Sequence, residues 1–441
     1  MTSTRPDPTL QTLLNNHPNL SYEGDRGLVM DGTSLTDLAT QHDTPCWVIS
    51  ADTLRRRARA LQDAFRARDL PVHCHFAVKA QDHQACLTVL AQCGFGADVV
   101  SGGELRRALA AGIRARDIVF SGIGKTDKEL ELAIRHQIGQ INVESVEELH
   151  RLDALARKMQ QRARIAFRVN PDIDAQTHSK ITTGRAEDKF GIAHDAIPAL
   201  YRKTMTDMPG VELVGLAVHL GSQMVTEGPF RKGYERIAAL VRTLRENGMS
   251  VTDIDCGGGL GIPYRDEQAP PPSMLADVIA DTLGDLGVRL HVEPGRWLAA
   301  PSGVLLGRVI DVKEAARRFV IIDAGMNDLV RPAMYDSWHG ILPLRTPEDT
   351  TGGDVVDVVG PICESSDIFA RQRHLPPLKK GDLIALLDAG AYGTVMSSTY
   401  NSRPLAAQVM IDGQRQALIR RRQTLDELLA QETIPDWLTT P

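Results

Sequence analysis

Short apolar runs alternate with longer amphipathic stretches between residues 72 and 296, and this pattern repeats about eight times. Short apolar runs predict buried strands, whereas a 3.6-residue period predicts helices. We predict strands at Val72–Lys79, Ala97–Ser101, Ile118–Gly122, Gln140–Glu144, Arg164–Asn170, Val214–Gly221, Asp253–Gly257 and Arg289–Glu293. The helical stretches between them include Glu104–Ala111, Val146–Met159 and Phe230–Asn247. This α/β order predicts a closed (β/α)8 TIM-like barrel, with an open doubly wound sheet as the alternative.

The pattern changes after Arg296. Short apolar runs separated by turn residues, without long helical spacers, are typical of a β-rich domain. They lie at Gly303–Val312, Phe319–Asp323, Val355–Val359, Leu383–Asp388 and Ala406–Ile411. We expect strands at Leu28–Met30 and Cys46–Ile49 to join this domain from the N-terminal side. The predicted division is therefore an N-terminal segment over 1–50, a barrel over 51–300 and a β-rich domain over 301–441.

Composition narrows the class of protein. Of 441 residues, 42% are hydrophobic and 24% are charged, which is the balance of an ordinary globular protein. The net charge is -6 and the basic residues are scattered, so we expect no nucleic-acid partner. The polar residues 1–20 do not resemble a secretory signal, and no long apolar run predicts a membrane span. Six cysteines without metal-like spacing or a disulfide framework favour a cytoplasmic protein without a metal site.

In barrels of this type, catalytic groups come from the C-terminal ends of the strands. The predicted strands end in an unusually polar set, namely Lys79, Ser101, Glu144, Asn170, His219, the glycine run from Gly257, and Glu293. Lys79 ends an apolar run, where partial desolvation favours the neutral amine that forms imines. A lysine that merely extends into solvent would occupy the same position, so position alone leaves both interpretations open.

Two further motifs follow the last two barrel strands. Gly257, Gly258, Gly259 and Gly261 are typical of a loop whose backbone N–H groups bind a phosphate, although tight turns use the same residues. Glu293 and Arg296 are either a surface ion pair or a functional pair. In a functional pair, Glu293 would keep a pyridine nitrogen protonated and Arg296 would bind a substrate carboxylate. His219 could lie flat on such a ring, but a lone histidine is more often a core residue.

These motifs, in this order, resemble the barrel-type (fold type III) pyridoxal-phosphate-dependent decarboxylases and, among them, the bacterial diaminopimelate decarboxylases. The resemblance extends from about Tyr22 to Gln414. It is sharpest in three stretches after the barrel: DAGMNDLVRPAMY at 323–335, GPICESSD at 360–367, and DAGAYG at 388–393 with YNSRP at 400–404. The resemblance implies pyridoxal 5'-phosphate as the cofactor.

The resemblance also implies a role for each matching residue. Lys79 would form the Schiff base with pyridoxal phosphate. The residues around the cofactor would be His219, Ser222, Gly257, Gly258, Gly259, Glu293, Gly295, Arg296 and Tyr392. The substrate would be bound by Arg296, Arg331, Tyr335, Glu364 and Tyr392. Cys363 would be the proton donor, a suitable role for a thiol, and would enter the site with Glu364 from the second subunit of a homodimer.

The implied reaction is the decarboxylation of meso-2,6-diaminopimelate at its D stereocentre, which gives L-lysine and CO2 at the last step of lysine biosynthesis. The alternatives are a decarboxylase of another basic amino acid (ornithine, lysine or arginine, L or D), an amino-acid racemase, and a non-catalytic homologue. The other basic amino acids lack a far carboxylate for Arg331 and Tyr335. A racemase needs a base on each face of the ring, and a non-catalytic homologue typically lacks the lysine or the cysteine.

Two smaller features complete the predictions. Residues 178–192 are polar and glycine-bearing and resemble the active-site loop of the family, so we predict a lid there. Gln81 and Phe76 stand where the family commonly has asparagine and tyrosine. Because both lie beside Lys79 without supplying the imine, we expect them to tune the cofactor environment modestly.

Overall fold

The computed structural model describes residues 7–173, 189–348 and 353–439. The chain forms two compact units. One, the β unit, comprises Met1–Thr53, Tyr264–Asp266 and Ala300–Pro441, and the other, the barrel unit, comprises Leu54–Pro263 and Glu267–Ala299. Residues 178–188 of the predicted lid lie outside the described residues.

The N-terminal segment belongs to the β unit. Its elements are α1 (Leu10–Asn16), β1 (Leu20–Tyr22), β2 (Leu28–Met30), β3 (Thr33–Ser34), α2 (Leu35–His42) and β4 (Cys46–Ser50). The side chain of Ser34 accepts a hydrogen bond from the backbone N–H of Asp37, which satisfies an exposed donor and starts α2. The predicted strand Leu28–Met30 pairs with β1 and β3 in a small sheet of its own, whereas β4 enters the main sheet of the unit.

The barrel unit is built on parallel strands. They are β5 (Val72–Ala77), β6 (Gly96–Val99), β7 (Ile118–Phe120), β8 (Gln140–Val143), β9 (Ala163–Asn170), β10 (Ile192–Ala193), β11 (Val211–Ala217), β12 (Asp253–Asp255) and β13 (Arg289–Val292). Pairing of β13 with β5 and of β8 with β9 closes eight of them into a barrel, while β10 pairs only with the end of β9. The predicted barrel is therefore confirmed, and the open sheet is excluded.

Helices surround this barrel, and the longer ones are amphipathic. They are α3 (Ala51–Arg66), α4 (Gln84–Gln92), α5 (Gly102–Ala110), α6 (Asp127–His136), α7 (Val146–Lys158), α8 (Ile197–Asp207), α9 (Glu227–Glu246), α10 (Pro272–Leu283) and α11 (Arg296–Ala299). Ser101, Thr126 and Ser145 cap α5, α6 and α7, each accepting a backbone hydrogen bond in the first turn. Pro272 opens α10, a position that suits proline because the first N–H of a helix has no acceptor within the helix.

The rest of the β unit is mostly strand. Its elements are β14 (Gly303–Glu314), β15 (Arg318–Ile322), α12 (Arg331–Tyr335), β16 (Ile341–Pro343), β17 (Asp354–Val359), β18 (Ile368–Leu375), β19 (Leu383–Leu386), β20 (Ala407–Asp412), β21 (Arg415–Arg420), α13 (Leu425–Leu429) and α14 (Asp436–Thr439). In the main sheet, β4 pairs antiparallel with β14 and parallel with β20, which confirms that the N-terminal segment supplies a strand.

Both faces of this sheet are covered. Along β4, Trp47 points into one hydrophobic cluster, whereas Cys46 and Val48 point into another. Alternation of side chains across a strand explains this division. In the part of the chain that the structure describes, no helix has both the length and the apolar composition needed to cross a membrane.

Candidate active site

Lys79 lies in a single helical turn, Val78–Ala80, directly after β5. The strand ends at Ala77, two residues earlier than predicted, and the turn places Lys79 at the C-terminal end of the barrel. Its Nζ donates a hydrogen bond to Oδ2 of Asp98 at 2.8 Å. The side chain of Asp98 is fully buried, whereas 34% of the Lys79 side chain is exposed. A buried carboxylate therefore holds the Lys79 amine, while part of the lysine side chain stays accessible to solvent.

Sequence reasoning missed Asp98. The signal was a carboxylate inside the otherwise apolar strand β6, since an aspartate is rarely buried without a partner. Its second oxygen, Oδ1, accepts no hydrogen bond within the described residues. A buried oxygen without a donor is costly, so this arrangement fits a site that receives a further donor.

The glycine loop after β12 is closely packed against backbone. A Cβ atom on Gly258 would lie 2.3 Å from the carbonyl oxygen of Glu293. Gly257 has φ +67, a conformation that other residues rarely adopt, and its N–H donates to Oδ1 of Asp255 at 3.0 Å. Only glycine fits at these two positions. The loop thus offers bare backbone of the kind that binds a phosphate.

Glu293 follows β13 and is buried within a polar network inside the barrel. Ser121 Oγ donates to its Oε1 at 3.4 Å. Asn142 donates to both Ser121 and Asp255, at 3.1 Å in each case. Burial, followed by the nearby carboxylates of Asp255 and Asp98, raises the pKa of Glu293 well above its usual range. A cationic partner would favour the ionised carboxylate at this position.

His219 lies between the glycine loop and Glu293. Its Nδ1 accepts a hydrogen bond from the N–H of Gly258 at 3.2 Å and lies 3.9 Å from Oε2 of Glu293. Burial, together with the positive charges of Lys79 and Arg168, lowers the pKa of His219 well below its usual range. The imidazole is therefore neutral. A neutral imidazole is suited to packing against another ring.

Arg296 is the first residue of α11 and is buried. Its Nη2 donates to Oγ of Ser222 at 3.0 Å, which joins two predicted site residues that are far apart in sequence. The carbonyl of Gly295 accepts hydrogen bonds from Leu298 and Ala299 and so begins the helix. The short helix thereby fixes the backbone position from which the Arg296 side chain extends.

Three other polar strand ends have structural roles. Ser101 caps α5. Glu144 accepts hydrogen bonds from Arg168 and from the backbone N–H groups of Gly122 and Gly191. Asn170 donates to the carbonyl of Phe190 at 3.2 Å. These residues hold the loops of the barrel mouth, which is the ordinary role of a polar group at a strand end.

Arg331 opens α12 in the β unit and is buried. Its Nη1 donates to the hydroxyl of Tyr264 at 2.8 Å and lies 3.3 Å from Nε2 of His339. Its Nη2 donates to Ser337 at 3.2 Å. Nδ1 of His339 lies 2.8 Å from the carbonyl of Leu387, which can only accept, so that nitrogen carries the proton and Nε2 accepts from Arg331. Sequence reasoning missed both Tyr264 and His339.

Tyr335 ends the same helix, four residues from Arg331 and on the same face. Tyr392 belongs to the loop after β19 and has φ +56. Asp388 in the same loop has φ +53, and its Oδ2 lies 2.8 Å from Nε2 of His17. Left-handed backbone at residues other than glycine is uncommon and is often found at functional sites.

Cys363 and Glu364 lie in an exposed loop of the β unit. The loop is nevertheless ordered, because Asp367 accepts hydrogen bonds from the backbone of Ile362 and Met326, at 2.7 Å in each case. The N–H of Cys363 donates to Oδ1 of Asn401 at 2.9 Å. Hydrogen bonds from Ser366 and Tyr400 hold the pKa of Glu364 below its usual value. The loop therefore presents a thiol and a carboxylate at the surface of the single chain.

Comparison with known proteins identifies this arrangement. Residues 51–300 match the family described as pyridoxal-dependent decarboxylase, pyridoxal binding domain. The chain is thus a pyridoxal-dependent decarboxylase. Its barrel unit has what the cofactor requires, namely the Lys79 amine, a backbone cradle that a Cβ would fill, and a buried carboxyl that favours a cationic partner.

Full-length relatives define the family more closely. The diaminopimelate decarboxylase of Zymomonas mobilis is 45% identical over 93% of this chain and 98% of its own length. The structure of diaminopimelate decarboxylase from M. jannaschii in co-complex with L-lysine has a TM-score of 0.90 and 35% identity, covering 96% of this chain and 99% of that one. The Helicobacter pylori enzyme complexed with L-lysine has a TM-score of 0.86 and 37% identity, covering 90% and 98%. The chain belongs to the diaminopimelate decarboxylases.

Proposed function

We propose that this enzyme removes the carboxylate at the D stereocentre of meso-2,6-diaminopimelate and releases L-lysine and CO2, the last step of lysine biosynthesis through that substrate. The observation that carries the proposal is the barrel mouth, where Lys79, the Gly257–Gly259 backbone and Glu293 lie in one unit. The relatives in the same family, two of them with L-lysine bound, support the substrate.

Bound pyridoxal phosphate supplies an electron sink for the electron pair that remains when CO2 departs. Lys79 would hold the cofactor through its amine, and the Gly257–Gly259 backbone would bind its phosphate. Glu293 would accept a hydrogen bond from its protonated ring nitrogen, and His219 would pack on its ring. Burial keeps the imidazole of His219 neutral. Glu293 would therefore be the group that fixes the charge of the ring nitrogen.

Asp98 has a supporting role in this proposal. Its Oδ2 holds the Lys79 amine at 2.8 Å, and its buried position prevents it from following the amine into solvent. Asp98 would keep the Lys79 amine close to this position whenever the lysine is not attached to the cofactor. Asp98 is thus a positioning residue for the lysine.

Arg331 would bind the far carboxylate, the one that L-lysine keeps. Tyr264 and Ser337 accept from its two terminal nitrogens, and His339 accepts from the nitrogen shared with Tyr264, so the guanidinium is held in one plane. Fixed guanidinium planes suit carboxylates because two parallel hydrogen bonds form at once. Arg296, Tyr335 and Tyr392 would complete the carboxylate and cofactor contacts, and Glu364 would bind the far amino group.

Cys363 would deliver the proton. Loss of CO2 leaves one carbon that needs a proton, and a thiol can donate it and recover one from solvent. Cys363 and Glu364 are exposed in the single chain, which fits our proposal that they act in the site of a second subunit of a homodimer. All six cysteines are free thiols, as expected in a reducing cytoplasm, where we place the enzyme.

A substrate panel tests the proposal. Purified enzyme with pyridoxal phosphate is incubated separately with meso-diaminopimelate, L-lysine, D-lysine and L-ornithine, and CO2 and product are measured. We expect CO2 from meso-diaminopimelate alone, because only this substrate has a second carboxylate for Arg331. CO2 from ornithine but not from meso-diaminopimelate would show a decarboxylase of another basic amino acid. Interconversion of stereoisomers without CO2 would show a racemase.

A further inference from the structure

A cavity of about 410 Å³ opens at the N-terminal ends of the barrel strands, the end opposite to Lys79. Its lining includes the first residues of β8, β12 and β13, which are Gln140, Asp253 and Arg289. In barrel enzymes the catalytic groups lie at the other end, and this end serves mainly stability. The cavity therefore belongs to no part of the site described above.

Its lining is rich in positive charge. Four guanidinium groups line it, those of Arg114, Arg116, Arg164 and Arg289. This concentration stands out in a chain whose net charge is -6. Clefts lined by charge of one sign concentrate ions of the opposite sign.

Three of these arginines have carboxylate partners. Arg289 makes two hydrogen bonds to Asp253, at 2.9 and 2.8 Å. Arg114 pairs with Asp117 at 2.5 Å, and Arg164 pairs with Glu212 at 3.2 Å. Arg116 makes no ion pair or side-chain hydrogen bond with any residue in 7–173, 189–348 or 353–439. Its exposed guanidinium is thus available to an anion.

Two histidines lie beside these arginines in the lining. His75 Nδ1 lies 3.0 Å from the carbonyl of Asp117, His75 Nε2 lies 3.0 Å from Nδ1 of His291, and Nε2 of His291 lies 3.1 Å from a carboxylate oxygen of Asp253. Burial, followed by the neighbouring His291, lowers the pKa of His75 to about 4, so His75 is neutral near pH 7. The histidines thus add polar ring nitrogens to the lining.

We propose that this cavity binds a phosphate group, either inorganic phosphate or a small phosphomonoester. Four arginines line the cavity, and the carboxylates of Asp117, Glu212 and Asp253 neutralise three of them, which leaves the positive charge of Arg116. Arg116 is therefore the group that would pair with the anion. His73, stacked on His291 with ring centroids 5.3 Å apart, extends the polar wall.

Isothermal titration of the holoenzyme tests the proposal. Bound pyridoxal phosphate occupies the phosphate site of the catalytic end, and its absorbance is followed to show that it stays bound. Inorganic phosphate and glycerol 3-phosphate are titrated separately, with sodium chloride at matched ionic strength as the reference. We expect saturable binding of one anion per chain for at least one of the two phosphates and none for chloride. Stronger binding of one phosphate identifies the source of the group.

Variants locate the binding. Arg116→Ala should weaken it about tenfold, the effect of one lost charge-assisted hydrogen bond, and Arg116→Glu should weaken it further. Arg106→Ala removes another exposed arginine that is not in the cavity lining and should leave the affinity unchanged. No saturable binding, or equal affinity in wild type and Arg116→Glu, would overturn the proposal.

Discussion

Lys79 and Asp98 form a pair in which a buried carboxylate holds a partly exposed amine at 2.8 Å. The barrel supplies this contact through strand register, because Ala77 in β5 pairs with Asp98 in β6 and Lys79 follows two residues later. A local turn then brings the amine back over its neighbouring strand. The geometry explains why the lysine does not simply extend into solvent.

Replacement of Lys79 tests this role. Lys79→Ala should remove the visible absorbance of the lysine-bound cofactor and lower kcat about a thousandfold or more. Lys128→Ala, which removes an exposed lysine of α6, is the matched control and should retain both. Absorbance spectra and CO2 release are the measurements. Substantial turnover by the Lys79 variant would contradict the assignment.

The positions of candidate site residues could be predicted where a sequence motif marked them. Lys79, Glu293 and Arg296 follow barrel strands in a recognisable order, and the structure places each after the C-terminal end of its strand. Asp98 and Tyr264 were not predicted, because each contacts a partner that belongs to another element of the chain. His339 was not predicted, because its contact with Arg331, eight residues away, depends on how the loop after α12 folds. Strand register and loop packing bring these pairs together, and neither can be read from a single sequence.

The glycine loop after β12 is an element whose backbone has little room for a side chain. Gly258→Ala would place a methyl group 2.3 Å from the carbonyl oxygen of Glu293 and so displace the loop or Glu293. We expect the affinity for pyridoxal phosphate to fall about tenfold or more, since a forced backbone shift commonly costs about 1–3 kcal/mol.

A second glycine provides the control for this loop. A Cβ on Gly228, near the start of α9, meets no atom within 4 Å, so Gly228→Ala should leave cofactor affinity unchanged. Spectroscopic titration of the two apoenzymes with pyridoxal phosphate compares them. Equal affinities in the two variants would show that the loop does not hold the cofactor.

The segment that leads to α12 makes a pH-dependent contribution to stability. Burial raises the pKa of Asp328 to about 6, against a usual value near 3.8. The folded protein therefore binds this proton more tightly than the unfolded chain, and stability should fall as the pH rises from about 4 to 6. Asp328→Asn keeps an oxygen for the N–H of Gly325 but does not titrate.

Urea unfolding measures this contribution as a difference between the two proteins. Relative to wild type, Asp328→Asn should gain roughly 2–3 kcal/mol of unfolding free energy between pH 4 and pH 7. The comparison cancels groups that titrate equally in both. A difference that does not change with pH would show that Asp328 is not protonated in the folded protein near pH 5.

Strands with a continuous apolar run were predicted well, and strands that mix apolar and charged residues were not. The eight barrel strands occur in the predicted order, with ends displaced by a few residues. The strands β18 and β21 were missed. Their sequences, IFARQRHL and RQALIR, interrupt the apolar residues with charged ones and lack a continuous apolar run. A strand with one solvated face gives a weak signal when it is short or irregular.

At the scale of the whole chain, the β unit joins segments that are far apart in sequence. The strand β4 pairs with β14 and β20, which follow it by more than 250 residues in the sequence. The sequence indicated that N-terminal strands would join the β-rich domain, but their partners in the sheet follow from side-chain packing on both faces.

The proposed homodimer with shared sites makes a whole-molecule prediction. Lys79→Ala and Cys363→Ala should each be nearly inactive alone. After subunit exchange in an equal mixture, activity should recover to about a quarter of wild type, because half of the dimers are mixed and each has one intact site. A mixture of Lys79→Ala and Glu293→Gln, both in the barrel unit, should recover none. No recovery in the first mixture, with exchange confirmed, would show that each chain holds a complete site.

The central claim is that this enzyme decarboxylates the D stereocentre of meso-diaminopimelate, and chiral analysis of the product tests it most directly. The holoenzyme is incubated with meso-diaminopimelate, and lysine enantiomers and CO2 are quantified together. We predict L-lysine as the lysine product, with one CO2 for each molecule formed. D-lysine as the main product, or conversion of the substrate without CO2, would contradict the account.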